Sequence, residues 1–377
     1  MHIVFLSGEY PLWTTGGVGT FIQTLGRGLV QMGHEVSVVG PGNEKEEVQL
    51  EDKGVRLYRL PQNSTKLPNF WVNSKRINEK LKDLHRENPI AIIEAAEGGL
   101  AFISSDHTAK KVIRLHGGHH FFAEAEKRRI NWRKGRLERR SFRKADGFIA
   151  VSNYVKEHTA KYLSYGGKPV SIINLPLNTH RDFPQVLPKE NHILFAGTVC
   201  EKKGVQQLLK AFRLVREQYP NKILDIYGRE WLYPNGTSYE AYLRETLEKD
   251  YFENVIFHGR IPRDQLDVAY ARSEFCVFPS LMETQGLVSI EAMLLKKPVI
   301  FTQYGPGPET INHKETGLLC DVYDPSDIAE KMIWCIENPE QAAQMGERAY
   351  KQVKTHYELE SIAVKNLDFY SDLTKNK

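Results

Sequence analysis

The chain has few cysteines and lacks long apolar runs, and no targeting signal is expected. Its 377 residues include four cysteines, Cys200, Cys276, Cys320 and Cys335, and no two of them form a CxxC pair. Neither a disulfide framework nor a zinc knuckle fits such scattered positions, so buried free thiols are expected. No stretch approaches the ~20 apolar residues that cross a bilayer. The amino terminus offers only Ile3-Val4-Phe5-Leu6 as an apolar run, with no basic segment before it. A secretory signal needs an apolar core of roughly 7–15 residues, so a cytoplasmic location is expected. Low-complexity tracts and short repeats are absent. So is any Asp-x-Asp pair that could hold a divalent metal, and no metal or cofactor is expected.

What is present is a mixed α/β pattern with ordinary composition, 41% hydrophobic and 26% charged. Short apolar runs at 2–7, 35–39, 91–93, 111–115 and 147–151 alternate with segments of helical spacing. Phe21, Leu25, Leu29 and Met32 mark the first such helix. The rhythm restarts at 192–197 and continues through 223–227, 255–257, 275–278 and 298–301. Strands alternating with helices predict parallel sheets covered on both faces. Two such series predict two doubly wound, Rossmann-like domains. The length agrees, at about 100–200 residues per domain. The proline-bearing stretch 175–191 is the best linker. The expected domains are 1–185, completed by a C-terminal helix at about 357–377, and 186–356. Ligands of open parallel sheets bind beyond the carboxyl ends of the strands, which makes a cleft between the domains the expected active site.

Charge is unevenly placed. Residues 1–189 carry 29 Lys+Arg against 19 Asp+Glu, and the rest carry 22 against 28. Within 127–144 there are ten basic residues and one acid, Glu138. Such a run reads either as a solvated helix or as a face for an anionic membrane surface. Nucleic acid is not an expected partner, because no aromatic stacking platform or recognised reader accompanies the charge.

The densest chemistry lies in Pro279-Ser-Leu-Met-Glu283-Thr-Gln-Gly286-Leu-Val-Ser-Ile-Glu291-Ala-Met293. A strand ends at Pro279 and a helix is predicted to start near Gly286. Free N–H groups at a helix start suit a phosphate, and a glycine lets a ligand approach the backbone. Glu283 and Glu291 can accept hydrogen bonds from sugar and ribose hydroxyls. Thr15-Gly16-Gly17-Val-Gly-Thr20 makes a second glycine-rich turn after the first strand. Its spacing is not GxGxxG, and Gly40-Pro-Gly after the second strand lacks the acid of a nicotinamide-dinucleotide site. His116 ends a strand and is followed by Gly117-Gly-His119-His120. Glu94 and Glu97 follow another strand.

Together these segments resemble the retaining glycosyltransferases of family 4, with their GT-B fold. Glu283 and Glu291 match its Glu-x7-Glu signature. The resemblance implies that Glu283 meets the donor sugar and Glu291 the ribose, with Thr284, Gln285, Gly286 and Leu287 beside the sugar or diphosphate. Gly197-Thr198-Val-Cys-Glu-Lys-Lys203-Gly204 resembles the segment whose arginine and lysine grip the diphosphate. Lys203 fills the lysine place. Thr198 stands where the family has arginine, and Arg229 is a candidate substitute. Arg260 and Ile261 lie where the family's backbone meets the base. Gly16 and Gly17 resemble the turn facing the diphosphate, and His116 the strand-end histidine that approaches the donor sugar. Glu97 and His119 are acceptor-side candidates.

The resemblance implies a metal-independent, retaining transfer from a UDP- or GDP-linked sugar to a hydroxyl of a glycan or lipid-linked glycan, in cell-surface polysaccharide synthesis. Catalysis would rest on Lys203, Glu283 and His116. A sugar-nucleotide epimerase of the same architecture and a non-catalytic, membrane-associated scaffold are the rival readings.

Overall fold

The computed structural model describes residues 1–13, 16–126, 128–180, 182–187 and 189–375. Thr15 of the glycine-rich turn, Lys127 of the basic run and Pro188 of the linker lie outside the described residues. The chain divides into two units, Met1–Asn178 with Tyr357–Lys377, and Thr179–His356. The division falls slightly before the expected 185/186.

The first unit runs β1 (His2–Leu6), α1 (Gly17–Gln31), β2 (Glu35–Pro41), β3 (Val48–Asp52), β4 (Val55–Leu60), α2 (Asn69–Glu87), β5 (Ile90–Ala96), β6 (Lys110–Leu115), α3 (His119–Ala125), α4 (Trp132–Lys144), β7 (Gly147–Ala150), α5 (Asn153–Ala160) and β8 (Val170–Ile172). Its strand order is β3-β4-β2-β1-β5-β6-β7-β8. The order reverses at β1 and β5, which is where a doubly wound sheet opens a crevice. Every pairing is parallel except β3 with β4. The sequence analysis did not foresee four strands: β4, whose run is interrupted by Arg56 and Arg59, the three-residue β8, the equally short Leu318–Cys320 in the second unit, and β3. Three of its five residues are exposed, so as an edge strand it shows no apolar run.

The second unit continues with β9 (His192–Ala196), α6 (Val205–Gln218), β10 (Ile223–Tyr227), α7 (Tyr239–Thr246), β11 (Val255–Gly259), α8 (Arg263–Arg272), β12 (Phe275–Phe278), α9 (Leu287–Leu294), β13 (Val299–Thr302), α10 (Gly307–Thr310), β14 (Leu318–Cys320), α11 (Pro325–Glu337) and α12 (Pro339–His356). Its strands are ordered β11-β10-β9-β12-β13-β14, all parallel, with the reversal at β9 and β12. β9 and β12 are buried at every position, which is why they read as unbroken apolar runs in the sequence. The four cysteines are free and buried.

The last helix, α13 (Leu359–Lys375), returns to the first unit. It packs on α1, and a polar lock holds it to the sheet. Arg114 on β6 is fully buried and donates Nε to Glu94 Oε1 at 2.7 Å and Nη2 to Glu94 Oε2 at 3.2 Å. Tyr370 Oη donates to Glu94 Oε2 at 2.6 Å, and Asn366 accepts from Arg114. Glu94, a candidate from sequence because of its place by a strand end, is therefore a structural anchor within β5. Its charge is tolerable in the interior because Arg114 and Tyr370 satisfy both oxygens.

Candidate active site

In the second unit, the crevice side of the sheet is built by loops after β9, β10, β11 and β12. After β9, Thr198 is half-buried, and a short 3-10 turn spans Glu201–Lys203. Lys202 O accepts Leu281 N–H at 2.9 Å, which joins this turn to the loop after β12. The two loops approach so closely at Gly204 that any side chain there would overlap the Pro279 carbonyl, and Gly204 also holds φ +69°. Only glycine suits both constraints. The result places Lys203 Nζ in an ion pair with Glu283 Oε1. Ser280 Oγ donates to the same oxygen at 3.0 Å. Two residues eighty positions apart in the chain, proposed separately from sequence, thus touch in the structure.

Glu283 is buried, Gln285 is buried and Thr284 is half-buried. Gly286 then turns the chain into α9 with φ +80°. A Cβ there would overlap the buried Phe301 ring, so glycine is required by backbone and packing alike. Leu287 is the first helical residue and half-buried, and its neighbours present N–H groups at the helix start. Ser289 Oγ donates to Gly286 O at 2.7 Å. One turn on, Glu291 forms an ion pair with Arg263, which also reaches Asp267 at 3.1 Å. Sequence reasoning missed Arg263. Its only signal was a basic residue at the first position of α8, two residues after Ile261.

Arg229 follows β10. Its side chain is exposed, and its carbonyl accepts Val199 N–H at 2.9 Å, so the Thr198 and Arg229 loops run side by side. Arg260 is exposed after β11, while Ile261 lines a cavity of about 450 Å³ under α8. Sequence analysis did not foresee this cavity. Asp225 lies on its wall, paired with His192 at 2.5 Å and His258 at 2.6 Å. The His258 ring stacks on Tyr227 at 4.2 Å between centroids.

The first unit assembles a second set of candidates. Gly16 is the N-cap of α1, set against the Glu9 carboxylate, and Gly17 faces open space. Glu9 was not foreseen. His116 follows β6 with its ring 5.2 Å from Phe21. Burial, with the charge of Arg114 nearby, pushes His116 down to about 3, so its ring is neutral at ordinary pH. Glu97 is buried, and its Oε1 accepts Gly117 N–H at 2.7 Å. Burial pushes its carboxyl up to about 8, and the nearby charge of Glu138 adds to the effect. His119 is held internally, its Nε2 accepting Asn131 N–H at 2.8 Å and its ring meeting Arg128. His120 is buried and bonds Glu138. Among the described residues, no group of three His, Cys, Asp or Glu is placed to hold a metal.

Two parallel-sheet units of this kind define the GT-B class of sugar transferases. The Glycosyltransferase Family 4 model matches residues 15–181, and the Glycosyl transferases group 1 model matches 178–352. The chain belongs to this glycosyltransferase family. Among curated relatives, YtcC of Bacillus subtilis is 32% identical over 190 residues, 49% of this chain. The N-acetyl-alpha-D-glucosaminyl L-malate synthase of Bacillus anthracis is 28% identical over 187 residues, 50% of this chain. The chain spans about half the length of these two relatives, 46% and 47%. An uncharacterized glycosyltransferase of Methanocaldococcus jannaschii is 25% identical over 98% of both chains. Among solved structures, sucrose-phosphate synthase of Thermosynechococcus elongatus has a TM-score of 0.83 at 22% identity, covering 100% of both chains. Anabaena HepE in complex with UDP has a TM-score of 0.74 at 17% identity, covering 99% of this chain and 100% of that one.

Proposed function

We propose that the chain transfers a sugar, with retention and without a metal, from a UDP- or GDP-linked donor to a hydroxyl of a glycan or lipid-linked glycan in cell-surface polysaccharide synthesis. The observation that carries this reading is the contact of Lys203 with Glu283 beside the Gly286 helix start. A fixed cation, a carboxylate and free backbone N–H groups converge there, the set that a diphosphate joined to a sugar needs. Lys203 and the N–H groups at the start of α9 neutralise the charge that grows on the departing diphosphate. Glu283 accepts from sugar hydroxyls, and Glu291, steered by Arg263, accepts from the ribose. Ile261 and its cavity take the base. Neutral His116 can offer the donor sugar a hydrogen bond without a charge.

The bond from the anomeric carbon to the diphosphate breaks as the acceptor oxygen bonds the same face. The acceptor proton passes to the leaving phosphate oxygen. HepE with UDP supports the choice of donor class, as a neighbour in fold. The test is incubation of the full chain with a panel of UDP- and GDP-sugars, with and without EDTA, reading nucleoside diphosphate released. Release with one donor that survives EDTA is expected. An interconverted sugar would point to the epimerase, no binding of any donor to the scaffold, and loss in EDTA reversed by one divalent ion to metal-dependent chemistry.

A further inference from the structure

The basic run folds into α4, and the helix sorts its charges. Its one acid, Glu138, faces inward. Glu138 is buried, accepts the backbone N–H of His119 and His120 at the start of α3, and pairs with the His120 ring. Gly135, Ser141 and Phe142 are buried beside it. The outward side carries Arg133, Lys134, Arg136, Arg139, Arg140 and Arg143, all exposed. Among the described residues, no acidic side chain makes an ion pair with any of these six. The acid that would temper the run in the sequence is therefore absent from its outer face.

Aromatic side chains border this face. Trp132 opens α4 and is 65% exposed, with the Arg133 guanidinium 5.4 Å from its ring centre. Farther along, Arg140 donates to Ala101 O at 2.6 Å and lies 5.2 Å above the Phe102 ring. Phe102 is 5.5 Å from Phe70, in the first turn of α2, and neighbouring Trp71 is 65% exposed. A helix of 13 residues, about 20 Å long, thus presents cations with the exposed Trp132 ring at its start and, past its middle, Arg140 leading through Phe102 to the exposed rings of Phe70 and Trp71.

We propose that α4 and the first turn of α2 form one docking surface for an anionic lipid bilayer. The charge is complementary to acidic headgroups, and indole rings favour the boundary between headgroup and hydrocarbon. Long arginine stems can lie along that boundary with their guanidinium groups at the phosphates. A solvated helix would need no exposed tryptophans, and a nucleic-acid reader would need a groove or a stacking platform that this convex helix does not supply. Such a surface would bring the first unit to a lipid-linked acceptor, but docking itself does not depend on the proposed transfer reaction.

The test uses the full chain and sedimentation with two kinds of vesicle, phosphatidylcholine alone and phosphatidylcholine with about one-third phosphatidylglycerol. Binding to the anionic vesicles alone is expected, weakening as salt screens charges beyond roughly 8–10 Å. The triple variant Arg133→Gln, Lys134→Gln, Arg136→Gln removes three exposed charges without touching the buried side of α4. Each basic residue near the surface is worth roughly fivefold in partitioning, so the triple variant should bind roughly a hundredfold more weakly. Its thermal melting should match the parent. A second variant, Trp71→Ser with Trp132→Ser, should keep the salt dependence and bind several-fold more weakly. Equal binding to both vesicles, no binding to either, or an unchanged triple variant overturns the proposal. So does retention on a soluble sulfated glycan in place of vesicles.

Discussion

Glu97 should make the stability of the first unit fall as pH rises toward 8, and Glu97→Gln should remove that fall. In the folded chain the carboxyl is buried and is pushed up to about 8, against 4.5 when it is exposed. Below pH 4.5 the carboxyl is protonated in both states, and it contributes no pH dependence. Between 4.5 and 8 the folded chain holds a proton that the unfolded chain releases. Unfolding therefore becomes easier with each added pH unit, with a limiting slope of about 1.4 kcal/mol per unit. Integrated from pH 5 to pH 8, the loss is about 3–4 kcal/mol, less than three full units of slope because the curve bends at both ends. Glutamine keeps an oxygen to accept Gly117 N–H, has nearly the same volume and does not ionise. Urea denaturation of parent and variant at pH 5, 6.5 and 8 measures the difference. The variant should gain on the parent steadily over this range, and circular dichroism should show equal folded signals at pH 5. Parallel stability profiles would refute the reasoning, because they would mean that Glu97 is already ionised in the folded state at pH 5.

Other substitutions test the donor loops and the C-terminal lock. Lys203→Ala should lower kcat as well as weaken donor binding, by roughly 200- to 1000-fold in kcat/KM, since the charge on the leaving phosphate grows in the transition state. If Arg229 serves in place of the arginine missing at Thr198, Arg229→Ala should act in the same way, and the double variant should be non-additive. A silent Arg229→Ala beside a severe Lys203→Ala leaves Lys203 as the single cation, and normal turnover by both rejects this diphosphate position. Gly286→Ala should cost about 1–3 kcal/mol of stability in thermal melting, since it strains a positive φ and strikes the Phe301 ring. Tyr370→Phe leaves Glu94 Oε2 short of a donor in the interior, and should cost about 1–3 kcal/mol with faster protease cleavage near the C-terminus. A melting curve unchanged by Tyr370→Phe would show that Arg114 alone satisfies Glu94.

Much of the architecture was legible along the chain because parallel strands buried on both faces read as apolar runs. The run 275–278 and the helical spacing of Phe21, Leu25 and Leu29 carried that signal without any knowledge of partners. The Glu-x7-Glu segment was legible for the same local reason. Its spacing, its glycine and its strand-to-helix position all lie within one loop. β3 was not legible, because an exposed edge strand is under little pressure to be apolar.

What only the tertiary structure decided is which side chains share a charge. Glu94, Glu97 and Glu138 are three acids near loops of the first unit, alike in sequence, with three different environments. Glu94 accepts hydrogen bonds from Arg114, on the neighbouring strand, and from Tyr370, 276 residues away. Glu97 is buried near the charge of Glu138 and is pushed toward the neutral acid. Glu138 turns inward to the start of α3 and leaves the outer face of its helix wholly basic. The same holds for Lys203, whose partner Glu283 comes from a different crossover of the second sheet. A local pattern states how a segment can fold, whereas ionisation depends on desolvation and on charges a few ångströms away, and distance in space is set by the packing of the whole unit.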